Sequence, residues 1–161
     1  MMEQERTVCF TGHRTIPPQH IRRIKKRLRA LLVEQIEQGA VCFRAGGAMG
    51  FDTLAAEAVL SLRARYPQIR LELFLPFPEQ TLKWPADAIR AYEKIIQAAD
   101  AIHYTCPSYS MAAYRLRNRQ LVENAQVCIA YLTDSTGGTA YTCALALKNG
   151  LELINLGDEL G

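Results

Sequence analysis

The stretch VCIAYL, residues 127–132, is an unbroken apolar run with no charged residue. Such a run is typical of a strand that is buried on both faces, as in the centre of a parallel sheet. A loop with two consecutive glycines follows it at Gly137 and Gly138, and an amphipathic segment comes next. The run therefore predicts a central strand that leads into a helix.

The same alternation of short apolar runs and longer amphipathic segments extends in both directions from this strand. Strands are predicted at residues 7–11, 40–45, 70–75, 101–105, 127–132 and 153–156. Helices are predicted at about residues 19–38, 53–65, 85–98, 111–124 and 139–148. Strand–helix repetition favours right-handed crossovers between parallel strands. The predicted fold is α/β, a Rossmann-like three-layer sandwich with a mainly parallel sheet, which binds ligands at the carboxyl ends of its strands.

Composition limits the class of protein. The chain has 161 residues, of which 49% are hydrophobic and 22% charged, and this suits one domain over residues 1–161. No apolar run approaches the roughly 20 residues that span a bilayer, and no signal peptide is apparent. Five cysteines without a CxxC pair fit a reducing compartment, and the three histidines form no zinc-binding spacing with them. We therefore expect a cytoplasmic protein without a metal.

The net charge of +3 is mild, but the positive residues are unevenly distributed. One predicted helix carries a concentration of them: Arg22, Arg23, Lys25, Lys26, Arg27 and Arg29. Such a run is usually a solvated helix face. An anionic partner is the alternative interpretation, although the helix has no interleaved aromatic residues.

Glycine-bearing turns follow three of the predicted strands at the same end of the sheet. The first turn contains Gly12, His13 and Arg14. The second contains Gly46, Gly47, Ala48, Gly50 and Asp52. The third contains Thr136, Gly137, Gly138 and Thr139. Glycine lets a ligand approach the backbone, and a helix N-terminus supplies free N–H groups and partial positive charge.

These turns together predict a cradle for an anion, most naturally a phosphate, with Arg14 available for a bidentate contact. For any one turn, a tight connection without a ligand is an equally good interpretation. Asp52 also has the simpler role of helix N-cap. Neither the G-x-G-x-x-G fingerprint nor the P-loop pattern is present, which argues against an ordinary P-loop ATPase.

Two further groups lie outside the turns. Trp84, the one tryptophan of the chain, lies in the loop after the third strand and is suited to stacking on a base or ribose. Arg117 and Asn118 lie on the helix before the fifth strand, where Arg115 and Arg119 share a different face. For Trp84, the alternative is packing against the sheet edge. For the arginines of this helix, the alternative is plain surface charge.

The order of these motifs resembles that of the YpsA-like branch of the SLOG superfamily, from about residue 7 to 156. The motifs are CFTGHR at 9–14, GGAMGFD at 46–52, PFPEQTLKW at 76–84, RN at 117–118 and GGT at 137–139. The resemblance implies a Rossmann-like domain that binds a nucleotide or nucleotide derivative at the glycine turns. It also implies self-association into a homo-oligomer and a link to bacterial cell division and stress.

Comparison with the LOG phosphoribohydrolases of that superfamily bears on catalysis. LOG enzymes carry a glutamate in P-G-G-x-G-T-x-x-E, and Thr142 occupies its place here. A hydroxyl cannot replace a carboxylate as acid or base, so we assign no catalytic residue. Asp52, Glu57 and Asp134 remain candidates for a displaced acid. A ligand-binding module is thus the first hypothesis, an N-glycosidic hydrolase the second, and DNA binding by analogy with DprA the lowest.

Overall fold

The computed structural model describes residues 5–160 and confirms the α/β architecture. Within that range it contains six strands, β1 Arg6–Gly12, β2 Ala40–Ala45, β3 Arg70–Leu75, β4 Ala101–Tyr104, β5 Val127–Tyr131 and β6 Glu152–Asn155. It contains six helices, α1 Pro18–Glu37, α2 Phe51–Leu62, α3 Ala86–Ala98, α4 Met111–Val122, α5 Gly138–Lys148 and α6 Leu156–Leu160. Every predicted element is present, and the short α6 is the one that the sequence pattern did not indicate.

The six strands form one sheet in the order β4-β3-β2-β1-β5-β6, and every neighbouring pair is parallel. The chain runs from β1 outward to β4 on one side, then crosses back to place β5 on the other side of β1. The strand order therefore reverses between β1 and β5. In a parallel sheet this switch point opens a crevice at the carboxyl ends of the strands.

Helices cover both faces of the sheet and create two apolar cores. The helices α1, α2, α3 and α6 pack on one face, and α4 and α5 pack on the other. Side chains of β1 alternate between the two: Val8 and Phe10 enter the first core, whereas Cys9 enters the second. The predicted three-layer sandwich is confirmed, and its central strands are buried on both faces.

The start of α2 corrects one expectation. The N-cap residue is Gly50, with φ of +75°, and the helix begins at Phe51, so Asp52 lies in the first turn instead of capping it. The left-handed backbone of Gly50 lets the chain enter the helix earlier than the polar pattern indicates. The Asp52 carboxylate turns back toward the preceding loop, where its Oδ2 accepts a hydrogen bond of 3.2 Å from the Ala48 N–H.

Between residues 5 and 160, no helix combines the length and apolarity that a bilayer span requires. The five cysteines are free thiols. Burial raises the pKa of the Cys42 and Cys143 thiols to about 11, so both are protonated at neutral pH. Cys143 packs as a small apolar group in the second core, whereas the Cys42 thiol donates a 3.1 Å hydrogen bond to Glu72 Oε2.

Candidate functional site

A cleft of about 420 Å³ lies at the switch point between β1 and β5. It is bounded by the turn after β1, the turn after β2, the inner face of α4 and the start of α5. Its lining residues are Thr11, Gly12, His13, Arg14, Ala48, Asp52, Tyr114, Arg117, Asn118, Leu121, Gly138 and Thr139. The cleft therefore stands where the strand order of a doubly wound sheet places a ligand.

The turns after β1 and β2 contact each other through backbone. The Phe51 N–H donates to the His13 carbonyl over 3.1 Å. A Cβ on Gly50 would lie 2.3 Å from the Arg14 carbonyl oxygen, and the φ of +75° is also one that favours glycine. Gly50 is therefore required for the close approach that holds these two walls of the cleft together.

His13 ties the same wall to β5. Its ring Nε2 accepts a 2.9 Å hydrogen bond from the Thr133 N–H, and its backbone N–H donates to the Tyr131 carbonyl over 3.3 Å. An Nε2 that accepts a hydrogen bond carries no proton in this arrangement. His13 therefore positions the loop after β5 relative to the turn after β1.

Arg117 is the buried cation of the site, with only 6% of its surface exposed. Its Nη1 donates to the Gly46 carbonyl over 2.5 Å, and its Nε donates to Asn118 Oδ1 over 2.8 Å. Neither bond involves Nη2, the third nitrogen of the guanidinium. Burial lowers the pKa of Arg117, and the nearby Asp52 carboxylate opposes that effect. The guanidinium is thus fixed at the base of the cleft.

Asp52 brings a buried carboxyl group to the same place. Its Oδ1 has no hydrogen-bond partner among residues 5–160, although the side chain borders the cleft. Burial raises the pKa of Asp52 to about 6, and the positive charges of Arg117 and Arg14 work in the opposite direction. A buried acceptor without a partner is costly in a native protein. The unpartnered Oδ1 and the raised pKa therefore both mark Asp52 as an uncompensated buried group in the wall of the cleft.

Positive charge also reaches the cleft from α5 and from the turn after β1. The N-cap of α5 is Gly137, which has no side chain to satisfy the first N–H groups of the helix, and Gly138 and Thr139 border the cleft. Arg14 is exposed at the rim, and its guanidinium lies 5.5 Å from the centroid of the Tyr114 ring. The cleft therefore combines two guanidinium groups with one helix N-terminus.

The structure brings nine of the fifteen predicted site residues into the cleft. They are Gly12, His13, Arg14, Ala48, Asp52, Arg117, Asn118, Gly138 and Thr139. The other six support the cleft or lie elsewhere: Gly46, Gly47, Gly50, Trp84, Thr136 and Gly137. Gly46 lies behind Arg117, and Trp84 lines a neighbouring cavity together with Phe77 and Tyr109.

Sequence reasoning missed three lining residues, Thr11, Tyr114 and Leu121. Tyr114 had a usable signal, since it precedes Arg117 by three positions and Asn118 by four, which places it on the same helix face. Thr11 ends a buried strand. Leu121 had no comparable signal, because apolar residues of α4 also form the second core.

The remaining candidates lie outside the cleft. The Thr142 side chain is fully buried and donates from Oγ1 to the Gly138 carbonyl over 3.0 Å. Most cations of α1 are exposed, while Arg27 pairs with Glu159, and none of them borders the cleft in the described chain. In residues 5–160, no three His, Cys, Asp or Glu side chains come together as a set that would hold a metal ion.

Comparison with protein families and curated relatives supports the motif order. The model for YpsA, described as the YspA SLOG family, matches residues 10–152. A UPF0398 protein of Halalkalibacterium halodurans is 31% identical over 128 residues, which are 78% of this chain and 68% of the relative. A UPF0398 protein of Bacillus thuringiensis is 32% identical over 130 residues, 79% of this chain and 71% of the relative.

Comparison with solved structures concerns the fold. DNA processing protein A from Helicobacter pylori, described for its single-stranded DNA binding mode, has a TM-score of 0.67 at 21% identity over 94% of this chain. The same protein from Streptococcus pneumoniae has a TM-score of 0.65 at 18% identity over 93%. The chain spans 65% and 50% of those two proteins. TM1055 has a TM-score of 0.58 at 16% identity and is covered to 79%. At these identities the likeness shows the fold alone.

Proposed function

The chain belongs to the YpsA family of SLOG proteins, and from that membership and the geometry of the cleft we propose that it binds a phosphorylated nucleoside or a derivative of one. The observation that carries the proposal is the convergence of Arg14, Arg117 and the N-terminus of α5 on one cleft at the switch point. Guanidinium groups and uncapped helix N–H groups are the donors that phosphate oxygens prefer.

The other polar groups of the cleft fit the sugar of such a ligand. Asp52 and Asn118 both line the cleft, and carboxyl and amide groups hydrogen-bond the hydroxyl groups of a ribose. The Asn118 amide is oriented by the bond that its Oδ1 accepts from Arg117. Phosphate and hydroxyl recognition within one cleft favours a nucleotide over inorganic phosphate.

Binding without turnover is the form of the proposal that Thr142 supports. Its hydroxyl donates to the Gly138 carbonyl, and it stands where the resembling phosphoribohydrolases have a glutamate. We therefore propose a sensor-like role, in which occupancy biases a conformation that a partner recognises. In a bacterial family, such a sensor would serve the regulation of cell division or stress responses.

A panel of nucleosides and nucleotides tests the proposal by thermal unfolding. At least one nucleoside phosphate should raise the Tm of the full chain, and the corresponding unphosphorylated nucleoside should raise it much less. Mass spectrometry of small molecules released from the purified protein would identify the ligand class independently. A panel that produces neither a Tm shift nor a calorimetric signal would exclude the proposal.

Cleavage of an N-glycosidic bond is the second candidate function, and Asp52 is the observation that favours it. A carboxyl group with a pKa of about 6 is suited to proton transfer near neutral pH. In that reaction water adds to the anomeric carbon while the departing base takes a proton, and Asp52 would move that proton. Release of free base from nucleoside monophosphates, abolished in Asp52→Asn, would support this candidate.

DNA binding is the third candidate, and it rests on the exposed cations of α1. Phosphate neutralisation by such a face would make binding fall steeply with salt. These cations lie outside the lining of the cleft, so nucleotide binding and DNA binding would be separable. Steeply salt-dependent binding of single-stranded DNA would support this candidate, and no binding at low salt would exclude it.

A further inference from the structure

A second cavity, of about 590 Å³, lies beside the cleft, and its lining combines four aromatic side chains with the polar residues Arg14, Glu79, Gln80 and Lys83. Phe77 and Trp84 come from the segment after β3, Tyr109 from the loop before α4, and Tyr114 from α4 itself. The ring of Phe77 meets Tyr109 and Tyr114 edge to face, with centroids 5.6 and 5.7 Å apart. This aromatic cavity has the size and lining of a small-molecule site.

The aromatic cavity and the cleft share a wall. Arg14 and Tyr114 line both, and the guanidinium of the first lies over the ring of the second. A ligand that occupies the cleft with its phosphate therefore lies next to the aromatic cavity. The contacts on the two sides of this wall differ, since the buried cation Arg117 lines the cleft alone, whereas Phe77, Trp84 and Tyr109 line the aromatic cavity alone.

The mouth of the aromatic cavity exposes apolar groups to solvent. Leu82 is 78% exposed and Tyr109 is 67% exposed, and both line the cavity. Large exposed apolar side chains that cluster at a concave site mark a place where a ligand buries them. Trp84 is half-buried, with its ring held edge-on against Tyr92 of α3 at a centroid distance of 5.5 Å.

From this geometry we propose that the ligand has two planar heterocyclic groups joined through phosphate, and that the aromatic cavity binds the second of them. The first nucleoside and the phosphate lie in the cleft with Arg14 and Arg117, and the second ring stacks against Trp84 and Tyr109. Aromatic side chains stack on bases with little dependence on base identity. This inference rests on the proposed function, because it assumes that the cleft binds the phosphate.

Calorimetry with two matched probes, adenosine diphosphate and diadenosine pyrophosphate, tests the inference. In the wild-type chain the dinucleotide should bind about tenfold more tightly, which is the gain expected from stacking one more base. Tyr109→Ser and Trp84→Leu should reduce this ratio to about 1 without changing the affinity for adenosine diphosphate. The matched control is Tyr104→Ser, because Tyr104 is also exposed and borders neither cavity in the described chain; its ratio should equal that of the wild type.

Trp84 provides an independent readout, since the chain has a single tryptophan. The dinucleotide should quench its fluorescence, and adenosine diphosphate should leave it unchanged. If adenosine diphosphate binds and the dinucleotide binds no more tightly than it does, the inference is wrong and the proposed function stands. If neither probe nor any other nucleoside phosphate binds, both are wrong. Tighter binding of single-stranded oligodeoxyadenylate at Trp84 would assign the aromatic cavity to DNA. A fluorescence change with protein concentration alone would assign it to a second copy of the chain. Either result would overturn the inference.

Discussion

Arg117 Nη1 donates a hydrogen bond to the carbonyl oxygen of Gly46 over 2.5 Å, although the two residues are 71 positions apart in the sequence. The bond joins α4, on one face of the sheet, to the glycine turn after β2. It fixes the buried cation of the cleft against backbone that a side chain at position 46 would displace. The geometry of the candidate site therefore depends on a glycine that does not line the cleft.

Gly46→Ala should destabilise the protein by about 1–3 kcal/mol, the usual cost of overpacking. A Cβ at this position would lie 2.8 Å from Arg117 Nη1 and 2.9 Å from Asp52 Oδ2. The matched control is Gly138→Ala, whose Cβ would lie no closer than 3.9 Å to its nearest neighbour, Asn118 Nδ2. Urea denaturation measures both variants, and equal free energies of unfolding would show that the Arg117 packing is not tight.

Arg117→Ala should lower the free energy of unfolding by about 2–3 kcal/mol, because it leaves the buried Gly46 carbonyl without its charged donor. It should also abolish the Tm increase caused by a nucleoside phosphate. Arg119→Ala is the control, since Arg119 lies on the same helix with its side chain exposed. Should both variants lose the same stability, the bond between Arg117 and Gly46 would contribute nothing.

Asp52→Asn should change the pH dependence of stability. The folded-state pKa is raised from 3.8 to about 6, so the folded chain binds this proton more tightly than the unfolded chain does. The contribution of Asp52 to the stability of the wild type therefore falls as the pH rises from about 4 to about 6, by on the order of 2–3 kcal/mol. Asparagine does not titrate, so the free energy of unfolding of Asp52→Asn relative to wild type should increase over that interval.

Chemical denaturation at pH 4 and pH 7.5 provides the measurement for Asp52→Asn. Other carboxyl groups titrate in the same interval, but their contributions cancel in the difference between variant and wild type. Asp134→Asn serves as control, because Asp134 is exposed in the loop after β5. A difference for Asp52→Asn that stays constant with pH would mean that this carboxyl group ionises as it does in the unfolded chain.

Arg14→Gln should weaken nucleoside phosphate binding by roughly tenfold or more, the loss expected for one charge-assisted hydrogen bond. Stability should stay close to wild type, because Arg14 is exposed at the rim of the cleft. Arg22→Gln removes an equally exposed positive charge from α1 and should leave binding unchanged. Equal losses in the two variants would point to general electrostatic attraction instead of a contact at the cleft.

The sequence was sufficient to predict the sheet and most of the cleft, for physical reasons that particular residues illustrate. The apolar run 127–132 predicts a central strand, and the structure has β5 at Val127–Tyr131. Glycines that follow strands predicted the three turns, because turns with special backbone angles leave a strong local signal. Arg117 and Asn118 were found through their polarity and through the family resemblance.

The features of the site that could not be predicted from the sequence depend on long-range packing. The helix role expected for Asp52 was wrong, because the left-handed Gly50 starts α2 earlier and the carboxylate turns toward Ala48. Trp84 was expected near the phosphate cradle, but its position in the cavity beside the cleft, in contact with Tyr92 of α3, had no signal in the sequence. Tyr114 was overlooked, although it forms the wall between the two cavities. Each of these outcomes depends on contacts between distant segments, which local sequence patterns do not encode.

Calorimetric titration of the full chain with adenosine monophosphate and with adenosine, in parallel, measures what the phosphate group contributes to binding. The two probes differ by the phosphate alone, which is the group that Arg14, Arg117 and the start of α5 are proposed to bind. We expect the monophosphate to bind one molecule per chain at least tenfold more tightly than adenosine, with that preference lost in Arg117→Ala. Equal affinity for the two probes, or a preference that survives in Arg117→Ala, would contradict the account.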